Sequence, residues 1–189
     1  MLTEAEAIEK LAKLIDSKRL QHSLAVKETA LELWQKYKQI EIDKNKVKWA
    51  ALLHDCAKGI GKDNLLRKAK DFGIVINGVY REVPELLHAP VGAEIAKREF
   101  GIDDYDILQA ISYHTIGAPE MTTLDKIIFL ADYIEPNRDC KKINQLRDKV
   151  EQITLDEAVR IACENTIIYT LKQKKIIHPQ TIRTRNALI

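Results

Sequence analysis

Six residues have side chains of the kinds that bind metal ions. Each is also predicted to lie on the apolar face of a helix or at a helix end. They are His22, His54, Asp55, His88, His114 and Asp132. His54 and Asp55 are adjacent, in a stretch from Val47 to Lys58 whose apolar residues cover most sides of a predicted helix. Such a helix is usually buried, and an isolated carboxylate buried there is costly unless it is paired or bound to a cation.

Each of these residues also has a simpler interpretation when it is taken alone. A histidine on an apolar face is usually a hydrogen-bonded core residue, and a buried aspartate is usually a cap or a salt-bridge partner. Asp55 and Asp132 have no basic neighbour on their own predicted buried faces, so a cation shared among the six would relieve the cost of burying them. Spacing alone leaves both interpretations open.

Composition narrows the class of protein. A chain of 189 residues suits one domain, and a formal net charge of +2 is too small to indicate nucleic acid or an anionic membrane as a partner. Cys56, Cys140 and Cys163 are scattered, as is typical of reduced thiols. The acidic N-terminus is unlike a signal peptide, and no apolar run approaches the roughly 18 residues of a membrane helix. We therefore expect a cytoplasmic protein.

Apolar residues recur at threes and fours almost throughout, which predicts an all-α fold of about seven or eight helices. Thr3 and Glu6 have the spacing of a capping box at the first helix. Pro90 is expected at the first position of its helix, and Pro179 in an extended tail, because proline restricts the residue before it. The predicted helices cover about 3–15, 18–37, 45–58, 64–72, 90–101, 103–117, 122–136 and 154–174.

The order of the six residues resembles the HD superfamily of metal-dependent phosphohydrolases. Five blocks are similar to the YqeK-type family, the HD-domain symmetrical diadenosine tetraphosphate hydrolases of bacteria: RLQHSLAV (19–26), LLHDCAK (52–58), HAPVGA (88–93), YHTIG (113–117) and LADYIEPNR (130–138). The tail is similar too, so the resemblance covers nearly the whole chain. Two departures, Ala25 in place of a glycine and Cys56 in place of a larger residue, touch no ligand position.

The resemblance implies a single HD domain over residues 1–189 and a two-metal site. One ion would be held by His22, His54, Asp55 and Asp132, and a second would be completed by His88 and His114. Asp55 would reach between the two ions. Because the ligands are imidazoles and carboxylates without thiolate, iron is expected, in one or two ions, with manganese or another divalent metal as the alternative. A metal-bound hydroxide would then attack the phosphoryl group.

The implied substrate is a dinucleoside polyphosphate, which is cleaved symmetrically to give ADP. Asp55 and Lys58 are the expected catalytic residues, although Lys58 alone would be interpreted as a solvated lysine at a helix end. Arg138 could bind phosphate or simply lie on the surface. The expected substrate contacts are Lys58, His88, His114, Thr115, Asp132 and Arg138, together with Ile176, Ile177, His178, Pro179, Gln180 and Thr181 of the tail, which would contact the nucleoside.

Two other functions stay open on the sequence. An HD phosphatase could act on another nucleotide, such as a nucleoside mono- or diphosphate. A non-catalytic nucleotide-binding regulatory module could retain the fold, although the intact ligand set disfavours it. Tyr105, Tyr113 and Tyr133 leave a homodimer open.

Overall fold

Helices dominate this protein in a computed structural model that describes residues 2–37 and 42–189, and those residues contain no strand. The described part holds eleven α-helices and two short 3-10 helices. The α-helices are α1 (Glu4–Leu14), α2 (Ser17–Lys36), α3 (Lys44–Leu53), α4 (Lys62–Asp71), α5 (Gly78–Glu82), α6 (His88–Phe100), α7 (Tyr105–Tyr113), α8 (Thr123–Ile134), α9 (Lys141–Lys149), α10 (Leu155–Lys172) and α11 (Pro179–Asn186). The 3-10 helices cover Pro84–Leu87 and Val150–Gln152.

The central helix is α3, whose last five residues, from Trp49 to Leu53, are all buried. It packs against α2, α7 and α8, and α7 in turn lies between α6 and α8. The helix α10 packs against α8 and also contacts α9 and α11. A helix that is apolar nearly all round has to be enclosed in this way, which confirms the prediction of an all-α fold around it.

Side chains that accept backbone N–H groups fix where the helices begin. Thr3 and Glu6 form the predicted capping box on α1, and Thr122 forms a second one with Asp125 on α8. Asp104 caps α7 by accepting from the backbone N–H groups of the first turn. These caps fix the residues at which α1, α7 and α8 begin.

The third helix ends earlier than predicted. It was expected to reach residue 58, but α3 ends at Leu53 and residues 54–59 form turns. The Nδ1 atom of His54 lies 2.7 Å from the carbonyl oxygen of Ala51, which a continuing helix would offer to the N–H of residue 55. The backbone then turns through hydrogen bonds between residues three apart, such as Lys58 N–H to Asp55 O at 2.9 Å.

The prediction for the C-terminal tail was also wrong beyond residue 178. Pro179 begins α11 instead of lying in an extended tail, because proline suits the first position of a helix. The Nδ1 atom of His178 caps α11 by accepting from the N–H of Gln180 at 3.1 Å. Pro90 was expected at the first position of its helix, but α6 begins two residues earlier, at His88. Pro90 is therefore the third residue, in the first turn, where a backbone N–H would have no partner within the helix. The short helices α5 and α9 were not predicted.

A close contact fastens α11 to the loop after α7. The hydroxyl of Thr184 donates to the carbonyl of Ile116 at 3.1 Å, and Thr181 and Thr184 are both buried. Gly117 has a φ of +69°, and a β-carbon at this position would lie 2.5 Å from the side chain of Thr184. Only glycine fits both the backbone angle and the space there.

None of the helices in the described ranges is both long and apolar enough to cross a membrane. Cys56, Cys140 and Cys163 are free thiols.

Replacing Gly117 with alanine should destabilise the protein by about 1–3 kcal/mol, because it strains the backbone and pushes Thr184 off the Ile116 carbonyl. The free energy of unfolding in urea, followed by circular dichroism, measures this effect. Gly78→Ala is the matched control, since nothing lies within 4 Å of a β-carbon there. Equal unfolding midpoints for Gly117→Ala and Gly78→Ala would contradict the proposed contact.

Candidate metal centre

The structure brings all six predicted ligand residues together at one point. Their ligand atoms form two groups, and the first group lies around the Nε2 atom of His22. The Nε2 atom of His22 lies 3.0 Å from Asp132 Oδ1 and 3.3 Å from the Nε2 atom of His54. His54 Nε2 is also 3.7 Å from Asp132 Oδ1 and 3.8 Å from Asp55 Oδ2. Four ligand atoms from α2, α8 and the end of α3 therefore face a common space.

The second group forms around the other oxygen of Asp55. The Nε2 atoms of His88 and His114 are 3.0 Å apart. They lie 3.2 and 3.4 Å, respectively, from Asp55 Oδ1. One oxygen of Asp55 thus faces the first group, and the other faces the second. This carboxylate is placed to be shared between two cations.

Three of the histidines occupy the same structural position, at the C-terminal end of a helix. His54 ends α3, His88 ends the first 3-10 helix and His114 ends α7. Each Nδ1 atom lies close to the carbonyl oxygen three residues earlier, at 2.7, 2.5 and 2.7 Å. The imidazole N–H donates to this carbonyl, which in the case of Glu85 also accepts the backbone N–H of His88, and the lone pair of Nε2 faces the centre.

His22 is oriented by a different partner, because it lies in the middle of α2. Its Nδ1 atom is 3.2 Å from Oε1 of Glu135, a buried residue that directly follows α8. The other oxygen of Glu135 accepts from the N–H of Asn137 at 2.7 Å. A carboxylate on the far side of a ligating imidazole fixes its tautomer and raises its basicity.

These arrangements suit a divalent cation. With each Nδ1 atom donating outward, the Nε2 lone pairs of His22 and His54, and those of His88 and His114, face one another at 3.0–3.3 Å. Asp55 is buried, and its Oδ1 atom has no hydrogen-bond partner among the described residues. A divalent cation bound between Asp55 Oδ1 and the two nearby Nε2 atoms would satisfy this buried oxygen. The nitrogen and oxygen donors suit a first-row ion.

The pKa values of three ligand residues favour the forms that bind a cation. Burial raises the pKa of Asp55, but the charge of His54 and the close approach of His114 and His88 outweigh it, so this pKa is well below the ordinary value. The pKa of Asp132 is likewise well below its usual range, because Arg138 and the two histidines outweigh burial. Burial lowers the pKa of His88 to about 4. At neutral pH these three side chains are deprotonated, as metal ligands must be.

Two arginines and a lysine also surround the aspartates, although no basic neighbour was expected on the buried faces of their own helices. Arg19 Nη1 lies 3.2 Å from Asp55 Oδ2, and Arg138 Nη2 lies 2.5 Å from Asp132 Oδ1. The ammonium of Lys58 donates to His88 Nε2 at 2.9 Å. Sequence analysis missed Arg19, although it is three residues before His22 and therefore on the same side of α2.

A cleft of about 620 Å³ opens from the metal centre between α8, α9 and α10. Five predicted site residues lie in its lining: Lys58, His114, Thr115, Asp132 and Arg138. The hydroxyl of Thr115 is 3.1 Å from His88 Nε2 and 2.9 Å from His114 Nε2. Tyr133 also lines this cleft, whereas Tyr105 is 73% exposed on α7, so the two do not share one face.

The tail residues 176–181 lie elsewhere, since none of the described residues that line this cleft comes from them. The ring of His178 lies 5.2 Å from that of Tyr80 on α5. Its Nε2 atom is 3.5 Å from Asn77 Nδ2. The tail therefore packs next to α5, and through Thr184 it is tied to Ile116, two residues after His114.

Arg147 on α9 was not predicted, and it organises the segment that follows α8. Its guanidinium donates to the carbonyl oxygens of Ile134 and Glu135 at 2.9 Å each, and to that of Arg138 at 3.2 Å. These bonds hold the turn that carries Glu135 and Arg138. An arginine in a short amphipathic helix has no signal in the sequence that would distinguish it from a surface residue.

Replacing Glu135 with alanine should lower the affinity for Mn²⁺ by about 10- to 100-fold, because His22 loses the group that orients it. Glu135→Gln should lose less, since its amide oxygen still accepts from Nδ1–H. Calorimetric titration of metal-free protein with Mn²⁺ measures both. Glu32→Ala, on an exposed part of α2, serves as the control. Wild-type affinity in Glu135→Ala would show that Glu135 has no role in orienting the ligand.

Known proteins are similar to this chain over the residues that carry the site. Residues 19–137 match the HD domain family. The chain is 38% identical over 192 residues to the symmetrical bis(5'-nucleosyl)-tetraphosphatase of Halalkalibacterium halodurans, covering 100% of this chain and 98% of that protein. The enzyme of the same name from Bacillus subtilis is 35% identical, with 100% and 98% coverage.

A solved structure with a closely similar fold comes from Clostridium acetobutylicum. It is described as a predicted HD superfamily hydrolase involved in NAD metabolism, and it superposes with a TM-score of 0.93 at 35% identity. The match covers 100% of this chain and 97% of that one.

Proposed function

Because the chain belongs to the HD domain family, and matches symmetrical bis(5'-nucleosyl)-tetraphosphatases over its full length, we propose that it hydrolyses diadenosine tetraphosphate to two ADP. Water adds to one of the two central phosphorus atoms, and the bridging P–O bond between them breaks. One proton is released to solvent, and each product keeps two phosphates.

The observation that carries this proposal is the position of Asp55 between two groups of histidines. We propose that one or two divalent ions bind there, with iron as the metal used and manganese as its replacement. A bound divalent ion lowers the pKa of a water molecule and polarises a phosphoryl oxygen. Asp55 contributes to both halves of the site, while the four histidines and Asp132 complete the two ligand sets.

Basic and hydroxyl side chains at the centre suit a polyphosphate. Lys58 is mostly buried beside His88, where its ammonium is available to the phosphate oxygens and to the leaving oxygen. Arg138 offers a planar pair of donors for a phosphate. The Thr115 hydroxyl points to the Nε2 atoms of His88 and His114, so it can donate to a phosphate oxygen there.

We assign one nucleoside to the tail, from Ile176 to Thr181. The tie between Thr184 and Ile116 supports this assignment, because it brings α11 close to Thr115 and the second group of ligands. The ring of Tyr80 beside His178 adds an aromatic surface for a base. We also propose a cytoplasmic location, which the three free cysteines support.

Purified protein loaded anaerobically with ferrous iron, or separately with manganese, should convert diadenosine tetraphosphate to ADP alone. Asp55→Asn should reduce the rate by more than about 100-fold, because both ligand groups lose their shared carboxylate. Separation of the products by ion-exchange chromatography gives the answer. Asp103→Asn, at an exposed position, is the control and should keep full activity. AMP together with ATP would overturn symmetrical cleavage, and AMP from ADP would indicate a nucleotide phosphatase.

Metal binding should also stabilise the fold. At a Mn²⁺ concentration about 100 times its dissociation constant, we expect about 2.7 kcal/mol of added stability. Differential scanning calorimetry with Mn²⁺, and again after a chelator, measures it as a reversible change in Tm. In Asp55→Asn the change should be much smaller. An identical increase in Tm in wild type and Asp55→Asn would place the bound ion outside this centre.

A further inference from the structure

The cleft that opens from the metal centre has a wall that the proposed phosphate chemistry does not use. This wall is built by α8, α9 and α10, and its main side chains are Tyr133, Ile143, Asn165, Ile168 and Tyr169. None of them touches the ligand residues in a hydrogen bond or an ion pair among the described contacts. The wall nevertheless continues directly from Asp132 and Arg138, which line the same cleft.

Chemically, the wall resembles a site for a flat, partly polar ring. Tyr169 is 60% exposed and Ile168 is 39% exposed, although large apolar side chains at a cleft are normally covered. Ile143 and the ring of Tyr133 supply further apolar surface, and Asn165 brings one amide with both a donor and an acceptor. Apolar walls with a few polar groups that fix orientation are typical of small-molecule sites, and about 620 Å³ is an ordinary size for one.

Charge also suits a phosphorylated ligand. Lys58 and Arg138 lie at the inner end of the cleft, and Lys142 and Lys172 lie along it. A nucleoside whose phosphates point to the metal centre would meet cations at the inner end and aromatic surface farther out.

The proposed substrate has two identical nucleoside halves on either side of the bond that breaks. With the central phosphates at the metal centre, the two nucleosides lie in different directions from it. Each nucleoside therefore needs its own binding surface. The tail beside α5 accounts for one half, and no tail residue among those described lines the cleft. A second surface is required on the other side of the centre.

We infer that the cleft between α8, α9 and α10 binds the second nucleoside of the dinucleotide, with its base stacked on Tyr169 and its edge facing Asn165. This inference rests on the proposed function, since only a dinucleotide needs both surfaces. After cleavage, each surface holds one ADP.

Calorimetric titration of Mn²⁺-loaded protein with ADP tests the inference without relying on turnover. Wild type should bind two ADP per chain. Tyr169→Ala should weaken one of the two sites by about tenfold and leave the other unchanged, because stacking of a base on an aromatic ring is lost. Tyr169→Phe should restore binding. Tyr105→Ala removes another exposed tyrosine, on α7, and should bind ADP like wild type.

Steady-state kinetics provide the second measurement. In Tyr169→Ala the KM for diadenosine tetraphosphate should rise by about tenfold while kcat stays the same, since Tyr169 lies outside the reacting atoms. One ADP per wild-type chain, or two whose affinities do not change in Tyr169→Ala, would overturn the inference. Absence of ADP among the products of wild-type turnover would instead overturn the proposed function, and the ADP titration would still decide whether the cleft binds a nucleotide.

Discussion

The burial of one carboxylate, that of Asp55, is the constraint on which the rest of the site depends. Asp55 follows the central helix directly, where water cannot solvate it, so its charge has to be balanced by neighbours. Three other parts of the chain contact it, namely α2, the start of α6 and the end of α7. Asp132 of α8 joins the same cluster through His22. The packing of these helices around α3 therefore forms the fold and also brings the site residues together.

The ends of helices also hold the imidazole rings in one orientation. His54, His88 and His114 each stand where a helix stops, with Nδ1 within 2.7 Å of the carbonyl oxygen three residues earlier. Each ring satisfies that carbonyl with one nitrogen and presents the other to the centre. The chain therefore obtains ordered ligands from its own backbone, and only His22, inside α2, requires a separate side chain, Glu135.

The six residues that converge were identified from the sequence through the resemblance of their order and motifs to a known family. Apolar periodicity and the adjacency of His54 and Asp55 indicated a buried polar cluster but left ordinary core residues as an alternative. The motifs of the six residues also led to the correct family. The end of α3 could not be predicted, since periodicity continues to Lys58 while the side chain of His54 takes the carbonyl of Ala51. The helix after Pro179 was missed because His178 acts as a cap, which histidine rarely does. Glu135 and Arg147 act through contacts between elements, and their spacing in the sequence does not reveal them.

The ion pairs made by Arg19 and Arg138 have a consequence for the charge of the site. Their guanidinium groups lie on Asp55 and Asp132 and balance the two negative charges of these buried carboxylates. A divalent cation bound by the same side chains would therefore give the centre a net positive charge. That excess charge would attract an anion into the cleft, which Arg138 also lines.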